Sequence, residues 1–251
     1  MRFDVITLFP EIVQPLMEHG VNRRAFDQGL IDVRFWNPRD YATGNYRRID
    51  DRPFGGGPGM VMMAEPLAAC LAAIRQDRQQ NRSEAPLLLF SPMGEHLTHA
   101  LVDRYAQSSG AILLCGRYEG IDQRFIDREV DGQISLGDFV LSGGELAAMV
   151  LLDAVARLQP GVLGDDQSAV QDSFHPNADG LLDCPHYTRP EVWQGLEAPA
   201  VLMSGHHADI KQWRRHQSLT TTAKLRPDLI EAARAQGRLG PDDEAVLLQG
   251  P

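Results

Sequence analysis

The chain has 251 residues, 43% hydrophobic and 23% charged, a balance that fits a soluble globular protein long enough to bury a substantial core. Its formal net charge of −10 argues against a uniformly basic nucleic-acid surface. Cys70, Cys115 and Cys184 are widely spaced without a CxxC pair and imply neither disulfides nor zinc, while Lys211 and Lys224, the only lysines, follow no GxxxxG, which excludes a P-loop.

In chain order, "MRFDVITLFPEI" is an apolar run that carries Asp4 and ends at Pro10-Glu11, so it does not read as a signal peptide. No apolar stretch approaches the roughly 20 residues of a membrane span, and a cytoplasmic protein without a membrane partner is the expectation. Strands are predicted over Arg2–Leu8, Ile31–Trp36, Pro86–Ser91, Ala111–Cys115 and Gln133–Leu136. Helices are predicted over Glu65–Gln80, Thr98–Gln107, Ile121–Arg128 and Gly144–Leu158, with Thr98 and Ser142 as helix-start residues. "PLLLFS" and "AILLCG" are continuous apolar runs, as expected of parallel strands buried on both faces. The pattern is α/β. "GVLGDDQSAVQDSFHPNADG" has no period and reads as a flexible linker over 161–179. Beyond it, "TRPEVWQGL", a basic segment and "RPDLIEAARAQGRL" read as short helices of a small C-terminal domain, residues 180–251.

Charge is uneven along the chain. "HHADIKQWRRHQSLTTTAKLR" carries Lys211, Arg214, Arg215, Lys224 and Arg226 against one acid, Asp209, and "NPRDYATGNYRRIDDRPF" interleaves Arg39, Arg47, Arg48 and Arg52 with aromatics. Phosphates respond to such local clusters within a Debye length of about 8–10 Å. A solvated helix face is the plainer reading of a charge run.

Three glycine-bearing segments each follow an apolar strand. "LFSPMGE" places Ser91 and Pro92 before Gly94, and "LCGRYEGID" places Gly116 at a strand end with Tyr118 and Glu119 just beyond. "ISLGDFVLSGGE" sets Gly137, Gly143 and Gly144 around an apolar ladder holding one acid, Asp138, that reads as buried. Ligands of open α/β sheets sit at the carboxyl ends of strands, so these loops converge if their strands are neighbours. Their backbone groups and small apolar walls suit a flat adenine-like ring with a sulfonium or amine better than a triphosphate. Each also has a plainer reading: Glu119 as a helix-start acid favoured by the macrodipole, the glycines as turns. "DDRPFGGGPGM" lacks the flanks of a dinucleotide fingerprint. "CPH" (184–186) is a weak thiolate–base pair because i, i+2 residues of a strand point apart, and "HLTH" (96–99) lacks the glutamate of a zincin.

Taken in order, "DDRPFGGGPGM", "LCGRYEGID", "SLGDFVLSGGE", "DSF" and "GLLDCPHYTRPEVW" resemble the bacterial tRNA (guanine-N1)-methyltransferases, over a span from "ITLFPEI" to about Leu225. The resemblance implies a parallel-sheet methyltransferase domain over 1–160 with a C-terminal trefoil knot, and a helical tRNA-binding domain over 180–251. It implies S-adenosylmethionine as cofactor, bound by Gly116 and the run Leu136, Gly137, Asp138, Phe139, Val140 and Leu141, with Ser91, Pro92, Tyr118 and Glu119 nearby and Gly143 and Gly144 in the same loop. Phe139 stands where the family commonly has tyrosine, and Leu136 where isoleucine is common; both keep the wall apolar. Asp172 of "QDSF" matches the general base, and Arg157 of "VARLQPG" the arginine that assists at the guanine. The resemblance further implies a homodimer with a composite site, a Mg²⁺ requirement without a readable ligand set, and a target guanine immediately 3′ of the anticodon (position 37) that follows another guanine. Both basic clusters then become tRNA-backbone contacts. A knotted methyltransferase acting on another RNA nucleotide, and a non-catalytic tRNA-binding protein, are the rival readings.

Overall fold

The computed structural model describes every residue except Arg82, Asp166, Gly250 and Pro251, and, for Gln167, the backbone alone. The chain divides into two compact units, Met1–Gly164 and Asp165–Pro251.

The first unit is built on a five-stranded parallel sheet. Its strands are β1 (Arg2–Ile6), β2 (Asp32–Trp36), β3 (Leu87–His96), β4 (Ile112–Leu114) and β5 (Gly132–Ser135), in the order β2-β1-β4-β3-β5. Helices α1 (Ala64–Gln80), α2 (His99–Ala106), α3 (Gln123–Glu129) and α4 (Glu145–Ala156) complete the layers. One core packs Phe3, Val5, Leu88 and Leu113 against Leu151, Leu152 and Val155 of α4; the other packs Ile6, Leu87, Leu89, Ile112 and Leu114 against Leu67, Leu71 and Ile74 of α1. The continuous runs of β3 and β4 serve both cores, which is why they do not alternate.

The apolar run of β1 tolerates Asp4 because its carboxylate is saturated with donors. Asp4, fully buried, accepts from Arg2 Nη2 (2.6 Å), Arg78 Nε (2.6 Å) and Trp36 Nε1 (2.7 Å). A buried charge persists when paired in this way.

Two local expectations differ from the structure. β3 does not stop at Ser91: it continues to His96, and its register on β5 shifts between Phe90 and Glu95, so Ser91–Gly94 is a bulge within a strand. Gly94 sits where a Cβ would strike the backbone of Gln133 and Ile134. Thr98 caps α2 by accepting from the Leu101 N–H, but α4 begins at Gly144 rather than Ser142, whose carbonyl accepts instead from Arg117.

In the second unit, α5 (His207–Leu225), α6 (Pro227–Ala235) and α7 (Pro241–Leu248) pack around Leu181, Leu219, Ile230 and Ala233. "TRPEVWQGL" forms no helix: Val192–Trp193 pairs with Leu196–Glu197 as a hairpin. Gln194 and Gly195 both have positive φ, the geometry of a two-residue type I′ turn. The basic segment is not short either, since α5 spans 19 residues. Within 161–179, outside Asp166, a short helix (Gln167–Val170) and a 3₁₀ turn (Pro176–Ala178) interrupt what the sequence reads as structureless.

Candidate active site

At the carboxyl ends of β4 and β5 and the bulge of β3, the three glycine segments line one cavity of about 390 Å³. Ser91, Pro92, Gly116, Tyr118, Glu119, Leu136, Gly137, Phe139, Val140, Leu141, Gly143 and Gly144 all line it. Strand order explains the meeting: β4, β3 and β5 are adjacent and parallel, so the loops after β4 and β5 leave the same edge, beside the Ser91–Gly94 bulge of β3. Asp138 does not line the cavity, and it is exposed rather than buried. Gly137, with φ +148, turns the chain after β5; Ser135 Oγ accepts from its N–H (3.2 Å), and its carbonyl accepts from the Phe139 N–H (2.9 Å). That tight turn sends residue 138 outward, which the alternation of an extended strand would not do.

Gly144 is required by proximity. A Cβ there would lie 2.7 Å from Cys115 Cα, and its N–H donates to the Gly116 carbonyl (3.1 Å). Two chain segments thus touch backbone to backbone at the cavity floor.

The motifs also held two residues that the sequence reading passed over. Glu145, 1% exposed, accepts from Thr7 Oγ1 (2.8 Å) and Arg117 Nε (3.1 Å), and its second oxygen lies 2.9 Å from Arg117 Nη2. Arg117 packs its guanidinium 4.7 Å from the Phe9 ring centre and donates to the Ser142 carbonyl (3.3 Å). The pair ties the end of β1, the loop after β4 and the start of α4 into one frame. "GRYEG" and "SGGE" contained both residues; only a long-range contact joins them. Arg117 neutralises Glu145, so Glu119 is left as the charged lining side chain, and the cavity favours a cationic or neutral ligand over a phosphate chain.

"DDRPFGGGPGM" reaches the same wall. The Met60 carbonyl accepts from the Glu119 N–H (2.9 Å), the Gly120 carbonyl from the Met62 N–H (2.8 Å), and a Cβ at Gly59 would collide with the Glu119 side chain. Tyr118 has φ +62, and its hydroxyl is pushed above the ordinary tyrosine range by burial and by Asp50, with Arg39 opposing.

Arg157 lies at the C-terminal cap of α4, partly buried and outside the cavity lining, with its N–H donating to the Asp153 carbonyl (3.1 Å). Asp172 lies in the second unit, partly buried, its carbonyl accepting from the His175 N–H (3.2 Å). The three cysteines are not nucleophiles: burial holds the Cys115 thiol well above its usual range, pushes Cys70 up to about 12 and raises Cys184. His186 turns to Asp183 (2.9 Å), not to Cys184. Among the described residues no group of three or more His, Cys, Asp or Glu side chains is placed to hold a metal ion, and no helix is long and apolar enough to cross a membrane.

The sequence profile described as tRNA (Guanine-1)-methyltransferase TrmD matches residues 1–232, further than the resemblance traced from motifs. The chain is 68% identical over 248 residues to a tRNA (guanine-N(1)-)-methyltransferase of Paracidovorax citrulli, covering 98% of this chain and 97% of that protein. It is 65% identical to the protein of the same name in Albidiferax ferrireducens (98% of both chains), and 62% identical to that of a Polaromonas species (98% and 96%). With its glycine loops, α/β sheet and near-complete coverage in agreement, this chain belongs to the tRNA (guanine-N1)-methyltransferase family.

Proposed function

We propose that this protein methylates N1 of a tRNA guanine with S-adenosylmethionine as donor, the target being the guanine at position 37, 3′ of the anticodon, when another guanine precedes it. The observation that carries this reading is the cavity lined by the three glycine-bearing segments, with apolar walls, backbone groups and no unpaired cationic side chain among its lining. Such a lining fits S-adenosylmethionine: Leu136, Phe139 and Leu141 offer apolar faces to a flat ring, and the loop backbone offers donors and acceptors to its edge. When bound, the cofactor supplies a methyl group on an electron-poor sulfonium.

Neutral guanine N1 carries a proton and is a poor nucleophile. Asp172 is assigned as the base that takes this proton, and Arg157 as the donor that stabilises negative charge developing at O6. An aspartate in water is a weak base for that task, so the step requires enclosure that excludes water around Asp172. Both assignments rest on the match of "QDSF" and "VARLQPG" to the family pattern. Mg²⁺ remains an expectation of the resemblance; the described carboxylates do not assemble a site for it, and no step is assigned to it.

The reading includes a knotted 1–160 domain, a linker over 161–179, a tRNA-binding helical domain over 180–251 and a cytoplasmic homodimer. Support for the knot is the backbone contact of Gly144 with Cys115 and of Gly94 with Gln133–Ile134, where segments cross at glycine distance. Support for the dimer is uncovered apolar surface: Val140 at the cavity lip is 86% exposed, and Leu146 and Val150, one turn apart on α4, are 53% and 46% exposed. The exposed Lys211, Arg214 and Lys224 of α5 are the assigned tRNA-backbone contacts of the second unit, whereas Arg215 is occupied by Asp243 and Asp179. Incubation with methyl-labelled S-adenosylmethionine and a defined tRNA, followed by digestion and mass spectrometry, tests the reading. N1-methylguanosine 3′ of the anticodon is the expected product; a methyl group on another base or position overturns it.

A further inference from the structure

Phe54 is 98% exposed. Unlike the 88%-exposed Tyr46, it has no polar atom for water to solvate, so the ring forfeits the whole transfer energy of a buried phenylalanine. It stands at the tip of the loop Arg52–Met60, in which Gly55, Gly56, Gly57 and Gly59 all have positive φ. A Cβ at Gly55 or Gly56 would meet nothing within 4 Å, so these glycines serve the path of the loop rather than packing. The base of the loop is fixed to the cavity wall through Met60–Glu119 and Met62–Gly120, while its tip is uncovered. Arg52 precedes Phe54 in the loop, Arg48 is held to the start of the loop through Asp51, and both, like Arg47, are exposed. Arg47 and Arg48 pair with the exposed acids Asp40 and Asp51, contacts weak enough to be exchanged for phosphates.

An uncovered aromatic ring among exchangeable arginines, carried on a loop rooted in the wall of a cavity, fits a stacked polynucleotide. The atom to be methylated lies on the Watson–Crick edge of its base, and reaching a cavity of this kind requires the base to leave its stack. We infer that Phe54 inserts into the gap left by the target guanine and stacks on the base 3′ of it, holding the target turned toward the cavity. The ring is an apolar wedge, and the arginines clamp the flanking phosphates. This inference rests on the tRNA guanine-N1 reading.

The test compares wild type, Phe54→Ala and Phe54→Trp in single-turnover methylation of a tRNA transcript and of the same transcript with an abasic nucleotide on the 3′ side of the target, which leaves the preceding guanine in place. Phe54→Ala is expected to slow methylation of the intact tRNA by about tenfold or more, the scale of one base–aromatic stack. On the abasic substrate, where no 3′ base remains to stack, the loss should shrink to within about threefold, and Phe54→Trp should stay near wild type on both. Unchanged melting temperature and S-adenosylmethionine affinity in Phe54→Ala exclude a folding or cofactor effect. Equal losses on both substrates, or none on either, overturn the wedge. A second arm needs no methyl transfer: with 2-aminopurine on the 3′ side of the target, wild-type binding should change its fluorescence and Phe54→Ala should not. An identical change in both proteins also overturns the proposal. Absence of N1-methylguanosine with wild type would count instead against the parent reading, and leaves the fluorescence arm to decide on Phe54.

Discussion

Gly144→Ala isolates the backbone crossing at the cavity floor. Gly144 has φ −79 and ψ −7, which alanine adopts freely, so the cost is steric and not conformational. The added Cβ would sit 2.7 Å from Cys115 Cα and 3.3 Å from Cys115 C and Cβ. Cys115 cannot retreat easily: it is 1% exposed, and its N–H donates to the Ile6 carbonyl (3.0 Å). Overpacking of this kind costs about 1–3 kcal/mol. The reduced freedom of the unfolded chain returns about 0.4–1 kcal/mol. The net loss is about 1–2 kcal/mol, or a fall of roughly 2–8 °C in melting temperature for a chain of this size. Because Gly143 and Leu141 ride on the same segment, calorimetric affinity for S-adenosylmethionine should fall by about tenfold, as expected when a preformed site is displaced. Gly164→Ala is the control, since its Cβ meets nothing within 4 Å and its φ is ordinary; it should melt and bind as wild type. Wild-type melting and affinity in Gly144→Ala would refute the argument that these segments touch.

Four further outcomes follow from the same geometry. Gly143→Val would drive a side chain into Arg117 and Glu145, and should abolish measurable S-adenosylmethionine binding while circular dichroism stays native; near wild-type titration would remove this loop from the site. Asp4→Ala leaves the buried Arg78 without its carboxylate, while Arg2 keeps Asp77, and should cost about 3–5 kcal/mol in urea unfolding, so an unshifted midpoint would contradict the network. In the second unit Arg215 donates to both oxygens of Asp243 (2.8 Å each) and holds that carboxyl below its ordinary value near 3.8; the stabilisation is therefore complete above that pH and lost as pH falls through the lower folded value, and the melting difference between wild type and Asp243→Asn should vanish in that acid range. Asp172→Asn should keep cofactor and tRNA affinity while single-turnover methylation drops about 10²-fold or more, and a heterodimer with a Gly137→Val chain should regain activity that neither homodimer has; a dead heterodimer, with folding and one bound cofactor verified, would assign Asp172 to its own chain or to no catalytic role.

The sheet is legible because Leu87–Phe90 of β3 and Ile112–Leu114 of β4 are unbroken apolar runs, and Thr98 is legible as a cap because its hydroxyl acts three residues away. What escaped the sequence depends on contacts between distant segments. The inward bulge at Ser91–Gly94 exists only because β5 pairs with both sides of it. Glu145 goes unmarked in the sequence because Thr7, which donates to it, lies 138 residues earlier. Asp138 reads as buried because its apolar neighbours suggest a ladder, whereas Gly137 at φ +148 redirects the chain just before it. The hairpin at Val192–Glu197 reads as a helix because Gln194-Gly195 is a less obvious turn than Asn-Gly, although both residues adopt the required positive φ. No local pattern placed Arg157 or Asp172; their assignment came from ordered motifs shared with a family.

The central claim is methyl transfer to guanine N1, and the most direct measurement uses tRNA transcripts that differ at one position. With methyl-labelled S-adenosylmethionine, a transcript carrying guanine 3′ of the anticodon after another guanine should yield N1-methylguanosine. Replacing the target with adenine should abolish the product, because adenine N1 has no proton for the proposed base Asp172 to take and its amino group would meet the proposed donor Arg157 donor to donor. Replacing only the preceding guanine should slow the reaction severely. Equal methylation of all three transcripts would contradict the account.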